Sequence, residues 1–344
     1  MNPILRKKSR PRVFQILIIV IAVLLIFCAY SYNQYQSLLG PADINNSEEV
    51  VFIIERGSSA IQIANKLEQE GLIKNAKAFL LYARLTENLE KFKAGEYLLR
   101  ASNTGPEIMD ILVEGRIVTV SFTIPEGYTL KKIAATLAEK GIVAEEEFWS
   151  LVEEGEFDYE FLQNLPKSKR RLEGYLFPDT YIIPKGWPAE KVIDLMLKRF
   201  AQIYDQLPPN KSGLNMRDTV ILASIVEAES KVDEDRPLIA SVFLNRLKIN
   251  MLLQADATLQ YAFEERKDRV LYKDLELDDP YNTYKYGGLT PGPIGSPGKA
   301  SLEAVCEPAN TEYYYFVARK DGSGKHEFSK TLAEHNAWKR KLGY

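Results

Sequence analysis

A glutamate at the end of an apolar helix is the first group in this sequence that could do chemistry. Residues 219–226 are uncharged and mostly apolar on every side of a helix, and Glu227 follows them directly. A segment of this kind is predicted to be buried all round. Burial disfavours the charged form of a carboxyl group, which suits a general acid that works at neutral pH. Glu227 is therefore a candidate catalytic acid.

Glu227 also has a purely structural alternative, because acids at helix ends are common. It could pair with Arg236 or Arg246, or accept hydrogen bonds from backbone groups. Glu229 lies two residues further on, about 200° around a helix, so the two acids are not expected to share one site. Residues 233–235, all acidic, are predicted to be solvated charges in a polar turn.

Three further segments combine acids, amides and aromatic rings, and they span residues 172–181, 253–261 and 281–284. The first is predicted to be extended. Sugars are bound through hydrogen bonds and through contact with aromatic faces, and these segments supply both kinds of group. Loop Asn, Thr and Asp side chains often cap turns instead. The candidates for a sugar cleft are Glu173, Gln254, Asp256, Thr258, Tyr261, Asn282 and Thr283.

The elements that must position these groups lie between residues 165 and 344. Helices are predicted over 192–204, 217–230 and 236–247, and a strand over 313–318 is followed by a glycine-rich hairpin. Residues 287–298 are rich in glycine and proline, which favours a loop with a rigid backbone. This mixture indicates an α+β catalytic domain whose loops carry the site.

An internal repeat precedes that domain. The pattern of residues 51–73 recurs 70 positions later in residues 121–143, with seven identities at the fixed offset. Each copy predicts a strand, a glycine turn and an amphipathic helix that ends at a glycine. A further strand over 95–99 and a helix from Gly105 to Glu114 lie between the copies.

The strand–helix–helix–strand order over residues 48–118 resembles the LysM peptidoglycan-binding fold. A spacer that binds nothing is the alternative interpretation. Residues 119–160 form the second strand–helix repeat, and the polar, turn-rich residues 33–47 are interpreted as a tether.

The N-terminus carries a membrane-targeting pattern. Residues 1–12 hold five basic residues and no acid, and residues 13–32 form an apolar segment whose 18 residues from Val13 to Tyr30 would reach about 27 Å as a helix. The basic flank predicts a cytoplasmic tail and an exported body on a single-pass anchor in the cytoplasmic (inner) membrane. A cleaved signal peptide is the rival, but its apolar core is usually shorter and ends at small residues.

Charge and composition exclude several functional classes. The chain has 44 basic and 47 acidic residues, so it lacks the basic excess of a nucleic-acid binder. Beyond Gly40 the remaining 39 basic and all 47 acidic residues leave a net charge of −8. Two cysteines make no disulfide framework, and the two histidines lack a companion cluster for zinc. No metal and no cofactor is expected.

Taken together, the ordered motifs resemble the endolytic murein transglycosylases of the YceG/MltG type over nearly the whole chain. The motifs span residues 172–181, 223–227, 241–246, 253–261, 281–284, 288–298, 326–329 and 334–336. Thr290 stands where the family loop more often has proline, and Ala228 where a lysine is common. Neither difference removes a candidate catalytic atom.

The resemblance implies cleavage of the β-1,4 bond between N-acetylmuramic acid and N-acetylglucosamine inside glycan strands, with Glu227 as acid and base. It implies 1,6-anhydromuramic ends, peptidoglycan as the partner, and work on nascent strands near penicillin-binding synthases that terminates glycan elongation. Two rivals remain. A hydrolytic muramidase would use Glu173 or Asp256 as a second carboxylate, and a non-catalytic scaffold would bind the wall through residues 48–118.

Overall fold

The computed structural model describes residues 12–163, 165–263, 267 and 270–344. Its internal contacts divide the chain into two units, with the boundary between Val120 and Ser121. Helices and strands occur in both, so the mixed α and β class expected from the sequence is confirmed. Residues 121–160, assigned to a separate repeat on sequence grounds, belong to the second unit.

The first unit begins with a long helix, α1 (Arg12–Leu39). Its segment Ile16–Leu39 is long and apolar enough to cross a membrane, and nearly all of its side chains before Leu39 are exposed. This helix is compatible with the predicted single-pass anchor. The tether predicted from residue 33 is wrong in its first part, because the helix continues to Leu39 and the turns start at Gly40. Polar side chains do not stop a helix, whereas the Gly40–Pro41 pair does.

The rest of the first unit has the predicted strand–helix–helix–strand order. Strand β1 (Glu49–Ile54) pairs antiparallel with β2 (Gly95–Arg100), with Phe52 opposite Tyr97 in the buried core. Helices α2 (Ala60–Gln69) and α3 (Ala76–Leu85) connect the strands, and α4 (Gly105–Glu114) follows them. The likeness to a LysM fold rests on this order and stays a prediction.

The two copies of the repeat build the same local structure. Strand β3 (Thr119–Thr123) and helix α5 (Leu130–Glu139) form the second copy, where Thr129 caps the helix as Ser59 caps α2. Gly71 and Gly141 follow the two helices with φ of 71° and 64°, a region that favours glycine. The copies differ in their partners, because β3 pairs with β4 (Thr180–Pro184) of the second unit.

A helical core fills the second unit. Helices α6 (Glu145–Glu154) and α7 (Ala189–Tyr204) precede α8 (Met216–Glu229), which packs against α9 (Arg236–Lys248) and α11 (Lys299–Cys306). Every residue of α8 from Thr219 to Val226 is buried, as its apolar sequence predicts. Helix α10 (Asp256–Ala262) lies between α9 and α11 in the chain.

The C-terminal end of the unit is a hairpin and a helix. Strands β5 (Tyr315–Ala318) and β6 (His326–Ser329) pair antiparallel, and α12 (Leu332–Leu342) ends the unit. The predicted strand and hairpin are confirmed. Asp235 does not lie in solvent as predicted, because it is buried and accepts a hydrogen bond from the His326 backbone at 2.7 Å.

The segment 172–181 is not extended along its length, contrary to prediction. Turns occupy it as far as Leu176, and the strand starts only at Thr180. Gly174 explains the difference, since its φ of 84° reverses the chain. A Cβ at this position would lie 2.6 Å from the ring of Pro293. The turn that carries Glu173 is therefore packed against the glycine- and proline-rich loop.

Replacing Gly174 with alanine is expected to destabilise the second unit by about 2–4 kcal/mol, because left-handed strain adds to a clash with a rigid ring. Gly186→Ala is the matched control: its φ is 73° and nothing lies within 4 Å of the added Cβ. All three tryptophans lie in the second unit, so urea unfolding followed by tryptophan fluorescence reports on it. If both variants lose the same free energy of unfolding, the contact with Pro293 does not contribute to the destabilisation.

Candidate active site

A cavity of about 1190 Å³ opens in the second unit. Its wall is formed by the start of α5, the turn around Glu173, one side of α8, helix α10 and the loop at Ile294 and Gly295. Trp149, Tyr261 and Phe263 supply aromatic surface, while acids and cations supply polar groups. A large cleft with aromatic and convergent polar groups is the usual form of a ligand site.

Glu227 lies beside Gly127, a residue that lines this cavity, and three donors hold its carboxylate. The Arg236 Nη1 atom is 3.0 Å from Oε1, while the Gly298 N–H and the Ser301 hydroxyl donate to Oε2 at 3.0 and 2.9 Å. The side chains of Glu227 and Arg236 are 8% and 9% exposed. Both carboxylate oxygens are thus held in one orientation.

Gly127 lies near both Glu227 and the cavity. Gly127 lines the cavity, and a Cβ on it would lie 3.7 Å from the Glu227 Cγ atom. Glu227 itself is not part of the lining, whereas Ser224 and Ala228 of the same helix are. Two backbone hydrogen bonds of 2.8 Å, from Gly127 to Ser296 and from Ser296 to Tyr128, fasten the glycine-rich loop to this turn.

A second acid, Glu126, lies beside Glu227. A Cβ on Gly298 would meet the Glu126 Oε1 atom at 1.8 Å, so this carboxylate lies against the glycine that donates to Glu227. Burial, and then the negative charge of Glu227, raises the pKa of Glu126. The sequence analysis did not find Glu126, although it belongs to the second copy of the repeat.

Glu173, a predicted cleft residue, lines the cavity and is 3% exposed. The Leu130 N–H donates to its Oε1 at 3.0 Å, and the Tyr261 hydroxyl donates to Oε2 at 2.9 Å. Burial raises the pKa of Glu173 to about 7, although both hydrogen bonds oppose the shift. Through these two hydrogen bonds, Glu173 connects the start of α5 with α10.

The raised pKa of Glu173 predicts a pH-dependent stability. The folded protein keeps the proton up to about pH 7, while the unfolded chain releases it near the ordinary value of 4.5. Stability is thus expected to fall by roughly 3 kcal/mol as pH rises through this window. Urea unfolding at a series of pH values should show a flatter profile in Glu173→Gln, and the wild-type slope in Glu190→Gln on the exposed face of α7. A slope that Glu173→Gln leaves unchanged would contradict this assignment.

Tyr261 also lines the cavity, as predicted, and belongs to an aromatic group. Its ring centroid is 4.9 Å from that of Tyr281, and the Arg170 guanidinium lies 5.2 and 4.7 Å from the two centroids. The cation holds both rings through their faces. Tyr261 therefore lines the cavity with a ring that Tyr281 and Arg170 hold in place.

Asp256 and Glu229 also line the cavity. Asp256, a predicted residue, is exposed and accepts a hydrogen bond from the Tyr284 hydroxyl. Burial raises the pKa of Glu229 to about 7, and Asp256 adds to the shift. Sequence reasoning set Glu229 aside because it faces away from Glu227 on the helix. Glu229 nevertheless lines the cavity together with Ser224 and Ala228, whereas Glu227 does not.

The other four predicted cleft residues do not line the cavity. Thr258 and Thr283 share a buried hydrogen bond of 2.8 Å between their hydroxyls, and Asn282 donates to the carbonyls of Leu275 and Leu277. These side chains brace the loop internally, as turn-capping residues do. Gln254 is exposed at φ 48°, and its backbone N–H donates to Thr283. The expectation that all four contact sugar finds no support in this geometry.

Among the residues that the structure describes, no group of three or more His, Cys, Asp or Glu side chains is arranged to hold a metal ion. Cys28 is exposed on α1 and Cys306 is buried in α11, both as free thiols.

Comparison with known proteins now decides the family. The model of the YceG-like family matches residues 52–341. The chain belongs to the YceG-like family. The resemblance inferred from the ordered motifs is thereby confirmed, and the family match includes every candidate site residue.

Relatives of this YceG-like chain carry a common name. This chain is 37% identical over 335 residues to an endolytic murein transglycosylase of Bacillus subtilis strain 168. The match covers 92% of this chain and 91% of the relative. A second endolytic murein transglycosylase, from Streptococcus pneumoniae D39, is 34% identical over 90% of this chain and 62% of its own length. A crystal structure of a putative yceG-like protein from Listeria monocytogenes matches with a TM-score of 0.55 and 37% identity, over 85% of this chain and 99% of that one.

Proposed function

We propose that this protein is an endolytic lytic transglycosylase of peptidoglycan. It cleaves the β-1,4 bond between N-acetylmuramic acid and N-acetylglucosamine within glycan strands and leaves 1,6-anhydromuramic ends. Membership of the YceG-like family and the names of the relatives support the substrate class. The observation that carries the proposal is the carboxylate of Glu227, which three donors hold beside a cavity with aromatic and polar lining.

In this proposal Glu227 serves first as acid and then as base. It protonates the glycosidic oxygen, so the bond from that oxygen to C1 of the muramic residue breaks. It then takes the proton from the C6 hydroxyl of the same sugar, whose oxygen closes onto C1. The donors on its oxygens stabilise the carboxylate that exists between the two steps. No water is consumed, and Glu227 ends in its starting state.

One catalytic carboxylate suffices for this route because the nucleophile belongs to the substrate. A hydroxyl that is already attached to the reacting sugar has a high effective concentration, so proximity replaces a second carboxylate. The two acids that a hydrolytic muramidase could use are engaged by tyrosines, Glu173 by Tyr261 and Asp256 by Tyr284. These hydrogen bonds favour a structural role for Glu173 and Asp256.

We also propose where the protein lies in the cell. Helix α1 anchors the protein in the cytoplasmic membrane, the basic residues before it keep the N-terminus inside, and the second unit works on the wall side. The module at residues 48–118 is proposed to bind glycan as LysM-like folds do. Cleavage of nascent strands beside penicillin-binding synthases would then limit glycan length.

Analysis of the cleavage products tests the proposed function. Full-length protein in mild detergent is incubated with uncrosslinked glycan strands, and the fragments are analysed by mass spectrometry. Fragments that end in 1,6-anhydromuramic acid, one water lighter than reducing ends, are expected. If only reducing ends are found, the protein is a hydrolytic muramidase and not a transglycosylase. If no strand is cleaved, only the interpretation as a non-catalytic wall-binding scaffold remains.

A further inference from the structure

The end of helix α1 is packed into the first unit. Leu39, its last residue, is 4% exposed and lies against Gly105 of α4. The Lys74 ammonium, just before α3, donates to the Ser37 carbonyl at 3.3 Å. These contacts fix the helix to the unit where a free tether would let the unit turn. A membrane around the apolar part of α1 therefore sets which end of the unit faces the lipid.

Helix α3 runs back along α1 towards that apolar part. The two helices pack against each other. Lys74 meets Ser37 near the C-terminal end of α1, whereas Tyr82, in the last turn of α3, interacts electrostatically with Tyr35. Later positions on α3 thus meet earlier positions on α1. The C-terminal end of α3 is therefore the end of this helix nearest the membrane.

Tyrosines of α1 indicate the level at which this end of α3 lies. Tyr30 and Tyr32 are exposed where the apolar segment ends, and tyrosines are enriched at membrane–water interfaces. Tyr32 lies three residues before Tyr35, about 4.5 Å along the helix. Leu85 lies three residues beyond Tyr82, the same distance in the same direction. Leu85 is thereby brought level with the interfacial tyrosines.

The exposed face of α3 at this level is apolar. Leu81 and Leu85 are 45% and 69% exposed, and their spacing of four residues places them on one face of the helix. We call these two residues the leucine patch. Arg84 and Glu87 beside it are exposed and of opposite sign, so their charges cancel. Apolar contact, and not attraction to a charged partner, is what this surface offers.

We propose that the leucine patch inserts into the outer surface of the bilayer that α1 spans, so that the first unit rests on the lipid. This inference rests on the location given in the proposed function. Helices that lie at an interface bury their apolar face about 5–10 Å into the boundary between headgroups and acyl chains. Two leucines suffice here because α1 already holds the patch at the surface, which gives it a high effective concentration there.

Labels along one face of α3 provide the test. Full-length protein carries a fluorophore on a single introduced cysteine, Lys77→Cys, Leu81→Cys or Leu85→Cys, in a Cys28→Ser background, and is reconstituted in phosphatidylcholine vesicles. Quenching by nitroxide lipids is expected to be several-fold stronger at position 85 than at position 77, about 12 Å away along the helix, with position 81 between them. Lys77 is exposed on the same face and is the matched control. The background protein should take up no label, because Cys306 is buried.

A label on the native Cys28 of wild type, which is exposed on α1, reports on the anchor itself. Strong quenching at Cys28 with weak quenching at all three positions of α3 would overturn the leucine patch and leave the anchor in place. Weak quenching at Cys28 as well would end the proposed location together with the patch. Quenching as strong at position 77 as at position 85 would also overturn the inference, because the leucines would then not be the point of contact. Strand cleavage is measured separately, so a failed product assay would leave these results standing.

Discussion

Replacing Glu227 with glutamine is expected to lower strand cleavage by about 10²–10⁴-fold, the range found when a general acid or base is removed. Glutamine has nearly the same shape and keeps an oxygen that can accept hydrogen bonds from Gly298 and Ser301. It cannot deliver a proton to the glycosidic oxygen. The loss should appear in kcat measured by release of anhydromuramic ends, with the affinity for strands nearly unchanged.

Two further variants test whether Glu227, and not another acid, is the catalytic residue. Glu139→Gln makes the same change on the exposed end of α5 and should leave cleavage intact. Glu229→Gln changes the other acid of α8, which lines the cavity. If Glu227→Gln cleaves normally while Glu229→Gln does not, Glu229 is the acid and the helix presents its opposite face to the substrate.

Replacing Arg236 with methionine is expected to destabilise the second unit by about 3–5 kcal/mol. Arg236 is buried and forms ion pairs with Glu227 at 3.0 Å and with Asp233 at 2.9 Å. Methionine fills similar space but leaves the Glu227 carboxylate buried without its cation, and an uncompensated buried charge is costly. Urea unfolding followed by tryptophan fluorescence measures the change in the free energy of unfolding.

The exposed pair of Arg199 and Asp179 is the matched control. Its N–O distance is 2.7 Å, but its side chains are 39% and 35% exposed, so Arg199→Met should lose only about 0–1 kcal/mol. Adding Glu227→Gln to Arg236→Met should recover part of the stability, because no charge is then left unpaired. A double variant less stable than Arg236→Met would show that the pair does not account for the loss.

The body of the protein beyond Gly40 is acidic, while its cavity is lined by residues of both charges. The net charge of −8 beyond Gly40 argues against general attraction to an anionic wall. In the proposed function, contacts inside the cavity must therefore recognise the glycan. Long-range attraction and local recognition are separate effects, because exposed charges are screened beyond about 8 Å at physiological salt.

Local structure followed from the sequence wherever near neighbours in the chain determine it. The unbroken apolar run of α8, the Ser and Thr caps of α2 and α5, and the glycine after each of these helices were all recognisable. The order of the motifs along the chain also identified the family and pointed to Glu227 as the candidate acid. Each of these features depends on residues a few positions apart, or on the order of motifs.

Only the tertiary structure decided which side chains meet. Glu173 reaches the Leu130 N–H 43 residues away, and Gly298 donates to Glu227 across 71 residues. The same packing turned Asn282 and Thr283 inwards and placed Glu126 beside Glu227. It also brought Glu173, Glu229 and Tyr261 to the wall of one cavity. A sequence shows residue types and spacing, which determine helices, caps and an anchor. The direction of a side chain in a loop depends on partners from distant segments, so the site's geometry emerges only when the chain is folded.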